Sequence, residues 1–127
     1  MITIAHQLRY KTCQLYSAVE SGDKNEIKDT SLKFGEFLNL ESTQRYLEGW
    51  SKFSAGIKGV KTPDYLTKTF SRAIHHKNNI EATLTPLRRT GESLLPTLSR
   101  ELMGLANELA ILDTNEEYLE KIYAQKN

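Results

Sequence analysis

A ladder of leucines towards the C-terminal end is the sequence feature that most constrains the fold. The ladder residues recur at steps of three and four, which keeps them on one side of an α-helix. They are Leu95, Leu98, Leu102, Leu105, Leu109 and Leu112. The ladder covers about two and a half heptads, fewer than the three or four that indicate a coiled coil. It therefore predicts the central helix of a bundle, packed within its own chain, with self-association or docking on another subunit as the alternative.

Helical spacing continues through most of the remaining sequence. Apolar stripes at steps of three and four fall within residues 4–19, 27–38, 46–57 and 66–84. Gly22 and a capping box that opens at Asp23 divide the first two stripes, and Thr85-Pro86 predicts a break after the fourth. A second capping box at Thr114 predicts a short last helix. Because no strand alternation is found, we expect an all-α fold, a single compact helical bundle of about five to six helices over residues 1–127.

The composition is that of an ordinary globular domain. Hydrophobic residues make up 39% of the chain and charged residues 26%, and a chain of this length buries enough surface to form a core without covalent staples. Cys13 is the single cysteine, so an internal disulfide is excluded. No secretory signal and no apolar run of bilayer length are seen. We expect a cytoplasmic protein with no membrane partner.

Positive charge is concentrated in the middle of the chain. Residues 52–100 carry nine Lys or Arg against three acids, whereas residues 1–51 carry six against seven and residues 101–127 carry two against six. The formal net charge is only +1, so the total hides this segregation. A locally basic region steers encounters with an anionic partner whatever the net charge is.

The basic middle becomes more specific on the fourth helix. At 100° per residue, the apolar stripe from Leu66 to Leu84 takes one face, and a row of polar residues takes the opposite face with no acid among them. Cations in a row with a hydrogen-bonding amide are typical of contacts to a phosphate backbone. The predicted nucleic-acid-binding residues are Lys58, Lys61, Lys68, Arg72, His75, Asn79, Arg88 and Arg89.

Three interpretations of this basic face remain open. It is a solvated face or one satisfied by the acidic C-terminal segment of the same chain; it binds nucleic acid, DNA or RNA, through the backbone; or it binds an acidic protein surface. No base-reading pattern is present, so nucleic-acid binding would be independent of sequence.

No pattern in the chain indicates catalysis, a cofactor or a metal. His75 and His76 are adjacent, unlike the i, i+4 pair that chelates a metal on a helix, and Cys13 has no second cysteine nearby. Gly91-Glu92-Ser93 lacks the preceding strand and following glycine of a nucleophile elbow. We therefore expect a non-enzymatic protein without a small-molecule substrate.

The whole-chain pattern of length, helical bundle and basic surface resembles the small all-helical subunits of CRISPR interference (Cascade-like) complexes. The resemblance rests on architecture and not on a diagnostic motif. It implies a cytoplasmic subunit of an antiviral nucleoprotein complex, set in a row of copies that contact other protein subunits and help to hold nucleic acid. From charge alone, the acids Glu116, Glu117 and Glu120 are predicted to meet the basic middle of a neighbouring copy, giving head-to-tail self-association.

Overall fold

The computed structural model of the chain describes residues 3–56, 64–90 and 95–115, with side chains for 3–48, 65–84 and 95–115. These residues form five α-helices and no strand, so the predicted all-α bundle is confirmed. The helices are α1 (Ile4–Ser21), α2 (Lys24–Leu38), α3 (Glu41–Gly56), α4 (Asp64–Thr90) and α5 (Leu95–Thr114). Within the described part, no helix combines the length and apolar character needed to cross a bilayer.

The junction between α1 and α2 forms where the sequence predicts it. Gly22 takes a left-handed conformation with φ of 74°, which favours glycine, and its N–H donates to the carbonyls of Ala18 and Val19. The side chain of Asp23 then accepts hydrogen bonds from the N–H groups of Asn25 and Glu26. The predicted cap is thus confirmed, and it fixes the turn between the two helices.

α5 is the central helix of the described bundle. It packs between α1 and α4, while α2 packs on α1 and α3 packs on α4. Contacts of Arg9 with Asp113 and of Ser99 with Glu20 show that α1 and α5 are antiparallel. α4 and α5 are also antiparallel, because Tyr65 contacts Asn115 while Asn79 contacts Glu101.

The leucine ladder forms the inner face of α5. Five of its members have no exposed surface: Leu98, Leu102, Leu105, Leu109 and Leu112. They belong to the same core as Leu8 and Leu15 of α1, Phe34 of α2 and Phe70 of α4. The interpretation as a central helix packed within its own chain is confirmed for these residues.

The predicted break at Thr85-Pro86 is wrong. α4 continues through both residues to Thr90, although Pro86 supplies no N–H for the carbonyl four residues earlier. Arg88 and Arg89 therefore lie in the last turn of α4 and not after it. A bend or loop is also predicted over residues 86–96, between two prolines; this is wrong for 86–90, which belong to α4, and for 95–96, which belong to α5. Residues 91–94 and the predicted last helix after residue 115 lie outside the described residues.

Candidate nucleic-acid interface

Four of the predicted binding residues lie along one edge of α4, which we call the α4 strip: Lys68, Arg72, His75 and Asn79. Lys68, Arg72 and His75 are exposed and Asn79 is half-buried. At about 1.5 Å per residue, the strip is roughly 16 Å long. The structure therefore brings these four residues together, as the spacing predicts.

The expectation that no acid opposes this strip is wrong. Arg72 donates from Nε to Oε1 of Glu108 at 2.8 Å, and the amide of Asn79 donates to Oε2 of Glu101 at 3.3 Å. Both carboxylates come from α5, which packs alongside the strip. The chain's own acidic C-terminal region thus satisfies part of the basic face, which was one of the three interpretations left open.

A shared seven-residue spacing explains this match. Arg72 and Asn79 are seven residues apart on α4, and Glu101 and Glu108 are seven apart on α5. Seven residues are close to two helical turns, so each pair stays on one side of its helix. In an antiparallel helix pair, the first residue of one set meets the last of the other. The paired spacing is the sequence signal that would have identified the two carboxylates.

The guanidinium group of Arg72 is bound to the protein along one edge and exposed along the other. Its Nη2 donates to Oγ1 of Thr69 at 3.3 Å, while its Nε is engaged by Glu108. Nη1 makes no hydrogen bond within the described part of the chain, and half of the Arg72 side chain is exposed. The guanidinium is therefore fixed by its inner edge, with donors free on its outer edge.

The two acids lie deeper than the cation they hold. The side chain of Glu108 is 13% exposed and that of Glu101 is 15% exposed, against 50% for Arg72. Oε2 of Glu108 is buried and has no hydrogen-bond partner among the described residues. An incoming molecule would reach the cations of the strip before it reached the carboxylates.

Glu101 is the centre of a second set of contacts at the far end of the strip. His76 Nδ1 lies 2.7 Å from its Oε2, where Asn79 also donates. The hydrogen bond with His76 is the main cause that lowers the pKa of Glu101 below its usual value; burial acts in the opposite direction, and the hydrogen bond from Asn79 lowers the pKa further. Glu101 is therefore a stable anion that anchors two residues of α4.

The opposite side of α5 is attached to α1 by a comparable cluster. Asp113 accepts a hydrogen bond from the hydroxyl of Thr3 at 3.2 Å, and it lies 3.2 Å from Nδ1 of His6 and 3.4 Å from Nη1 of Arg9. The acids in the described part of α5 all contact a neighbouring helix: Glu101 and Glu108 contact α4, and Asp113 contacts α1. The outward face of α5 keeps one charged residue, the exposed Arg100.

Besides Glu101 and Glu108, sequence reasoning missed Tyr65 and Thr69 beside the strip and Arg100 on the outward face of α5. Arg100 is exposed and has no ion-pair partner among the described residues. Tyr65 extends the strip by one turn; it is 52% exposed, and its hydroxyl donates to Oδ1 of Asn115 at 3.0 Å. Thr69 supports Arg72. The step of three between Tyr65 and Lys68 was the available signal for Tyr65.

The other predicted site residues lie outside the described side chains. Lys58 and Lys61 fall between α3 and α4, and only the backbone of Arg88 and Arg89 is described. The acids proposed for head-to-tail contact, Glu116, Glu117 and Glu120, follow the last described residue. Their roles stay predictions.

Within the described residues, no group of three His, Cys, Asp or Glu side chains is placed to hold a metal ion. Compared with protein-family models, curated proteins and solved structures, the chain has no significant match. The resemblance to CRISPR small subunits therefore stays a prediction from architecture.

Proposed function

We propose that this protein is a non-enzymatic helical subunit of a larger nucleoprotein assembly. It binds the backbone of DNA or RNA, without reading sequence, through the α4 strip and the exposed Arg100 of α5. An antiviral complex of the CRISPR type, in which other protein subunits and further copies of this chain are partners, is the proposed setting. The acidic 116–127 segment is proposed to contact a neighbouring copy.

The placement of Arg72 is the observation that carries this proposal. A guanidinium group already hydrogen-bonded at Nε and Nη2 loses little further conformational freedom when it binds a phosphate. Its exposed edge offers N–H donors in the planar geometry that phosphate oxygens accept. The exposed Lys68 lies one turn away and supplies a second positive charge. Phosphate contacts of this kind give affinity and register but carry no base information.

The α5 carboxylates should lower the affinity of the α4 strip for nucleic acid. Glu108 offsets much of the charge of Arg72, so the strip behaves as a weaker electrostatic surface than its sequence predicts. We expect the affinity to be modest and to fall with salt in proportion to the number of phosphates bound, because each phosphate contact with a single strand contributes a slope of about −0.7 in log affinity against log salt.

The test is a fluorescence-anisotropy titration of a mixed-sequence single-stranded oligonucleotide over a series of KCl concentrations. The variant Lys68→Gln/Arg72→Gln should bind more weakly, with a salt slope shallower by about 1.4, since two phosphate contacts are removed. Glutamine is preferred to glutamate at position 72, because a new carboxylate there would face the buried Glu108 and destabilise the fold.

The matched control is Lys28→Gln/Arg45→Gln, which removes the same charges from exposed positions on α2 and α3. It should leave the slope close to that of the wild type. Equal loss of binding in both variants would mean that net charge, not the α4 strip, determines affinity. No binding by the wild type at low salt would overturn the proposed function.

A second candidate function, an adaptor that binds an acidic protein surface, is favoured by a separate observation. Four large apolar side chains are exposed on α1, α4 and α5: Tyr10, Tyr65, Met103 and Ile111. Exposed aromatic and Met residues next to Arg are typical of protein interfaces. Binding to an acidic polypeptide but not to the oligonucleotide would select this candidate.

A further inference from the structure

Two consecutive hydrogen bonds connect Glu101 of α5 with His75 of the α4 strip through the side chain of Asn79. The single amide nitrogen of Asn79 lies 3.2 Å from Nε2 of His75 and 3.3 Å from Oε2 of Glu101. A side-chain amide nitrogen carries two hydrogens. Both are therefore used, one on α5 and one on the neighbouring histidine.

Glu101 determines the orientation of this amide. An ionised carboxylate only accepts hydrogen bonds, so the Asn79 nitrogen, and not its oxygen, must face Glu101. The other charged or titratable groups around these hydrogen bonds are His76, which is bound to the same carboxylate, and Arg72, which is bound to Glu108. Since both residues are bound to carboxylates, neither favours the flipped amide in which the Asn79 oxygen faces α5.

The orientation of Asn79 in turn fixes the proton on His75. Because the amide nitrogen donates to Nε2, that ring nitrogen must accept, and the proton of the neutral ring must be on Nδ1. The two ring nitrogens point in different directions, so Nδ1–H is directed away from Asn79. Within the described residues Nδ1 has no protein acceptor.

We propose that Asn79 is a positioning residue that holds His75 as a neutral Nδ1–H donor for a phosphate oxygen beside Arg72. This inference rests on the proposed function, since the acceptor is the phosphate of the bound strand. His75 follows Arg72 by three residues on the same edge of α4, so both donors serve one stretch of backbone. The strip then combines charged contacts with one neutral contact whose geometry is set by α5.

The tautomer is measurable without any ligand. In the wild type at about pH 8, the ring ¹⁵N shifts of His75 should report Nδ1–H. Asn79→Ala should abolish this preference, because Nε2 loses its donor. Asn78→Ala is the matched control: it removes an exposed asparagine one position away and should leave His75 unchanged.

The same variants separate this inference from the proposed function. Asn79→Ala should weaken oligonucleotide binding roughly two- to ten-fold, the range of one neutral hydrogen bond. Its salt slope should equal that of the wild type, because no cation is lost. Asn78→Ala should bind normally.

Two results would overturn the inference alone: an unchanged His75 tautomer in Asn79→Ala, or a changed tautomer with unchanged affinity. Failure of the wild type to bind the oligonucleotide would overturn the proposed function and the phosphate contact with it. A circular-dichroism spectrum like that of the wild type confirms that each variant is folded.

Discussion

Gly104 shows how a single residue permits a close contact between two helices. A Cβ at this position would lie 2.6 Å from Cε1 and 2.8 Å from Nε2 of the His76 ring. The absence of a side chain on α5 therefore lets the ring lie flat against the helix and reach Glu101. Here glycine is favoured by close packing and not by backbone conformation.

Gly104→Ala should consequently lower the free energy of unfolding. Overpacking of this kind costs about 1–3 kcal/mol, which outweighs the gain of up to about 1 kcal/mol from replacing glycine inside a helix. Displacement of the ring would also break the contact between His76 and Glu101. Urea denaturation measures the change.

Gly35→Ala is the control for this substitution. Gly35 lies inside α2, and a Cβ there would meet nothing within 4 Å. The variant should be more stable than the wild type by about 0.5–1 kcal/mol, since only the helix propensity changes. If both glycine variants were stabilised to the same extent, the proposed close approach of His76 to α5 would be incorrect.

At the scale of the helices, the pairing of α4 with α5 decides what the basic strip can do. Two carboxylates seven residues apart on α5 meet two donors seven apart on α4. These contacts fix the register of the helix pair and orient the strip, but they also reduce its positive charge. The seam between α4 and α5 is thus both structural and part of the candidate site.

The seam should respond to acid through Glu101. Its pKa is lowered in the folded protein, mainly by the hydrogen bond with His76. Its contribution to stability is therefore complete above the ordinary glutamate pKa of about 4.3 and is lost as the pH falls through the lower folded value. Urea denaturation at a series of pH values should show the wild type losing stability in this window more steeply than Glu101→Gln.

Glutamine is the suitable comparison because it keeps an acceptor for His76 and Asn79 but does not titrate. Parallel stability curves for the two proteins between about pH 5 and pH 3 would contradict the assigned role of Glu101.

The sequence predicted the individual helices better than their partners. Helical spacing correctly identified the buried faces of α1, α2 and α5, and the cap at Asp23, because these depend on residues close together in the chain. The break at Pro86 was predicted wrongly. The prediction considered only the N–H that proline lacks, and α4 continues to Thr90 without that one hydrogen bond. Glu101 and Glu108 were missed as partners of the strip, because their role depends on how two helices pack.

At the scale of the whole molecule, the charge segregation of the sequence becomes a difference between surfaces. Exposed acids and bases alternate on α2 and the described part of α3, where Lys33 pairs with Asp29 and Arg45 pairs with Glu41. On the edge between α4 and α5, the carboxylates are withdrawn into the seam. A partner that approaches this edge meets the exposed Lys68 and Arg72 before the carboxylates, and it finds Arg100 on the adjoining outward face of α5.

Chemical-shift mapping by NMR tests that claim most directly. The measurement follows the backbone amides and the Arg72 side-chain N–H groups of the ¹⁵N-labelled protein during titration with a mixed-sequence single-stranded oligonucleotide. The shifts should concentrate on residues 65–79 of α4 and around Arg100 of α5, and they should disappear at high salt. Shifts confined to α2 and α3, or no shifts at low salt, would contradict it.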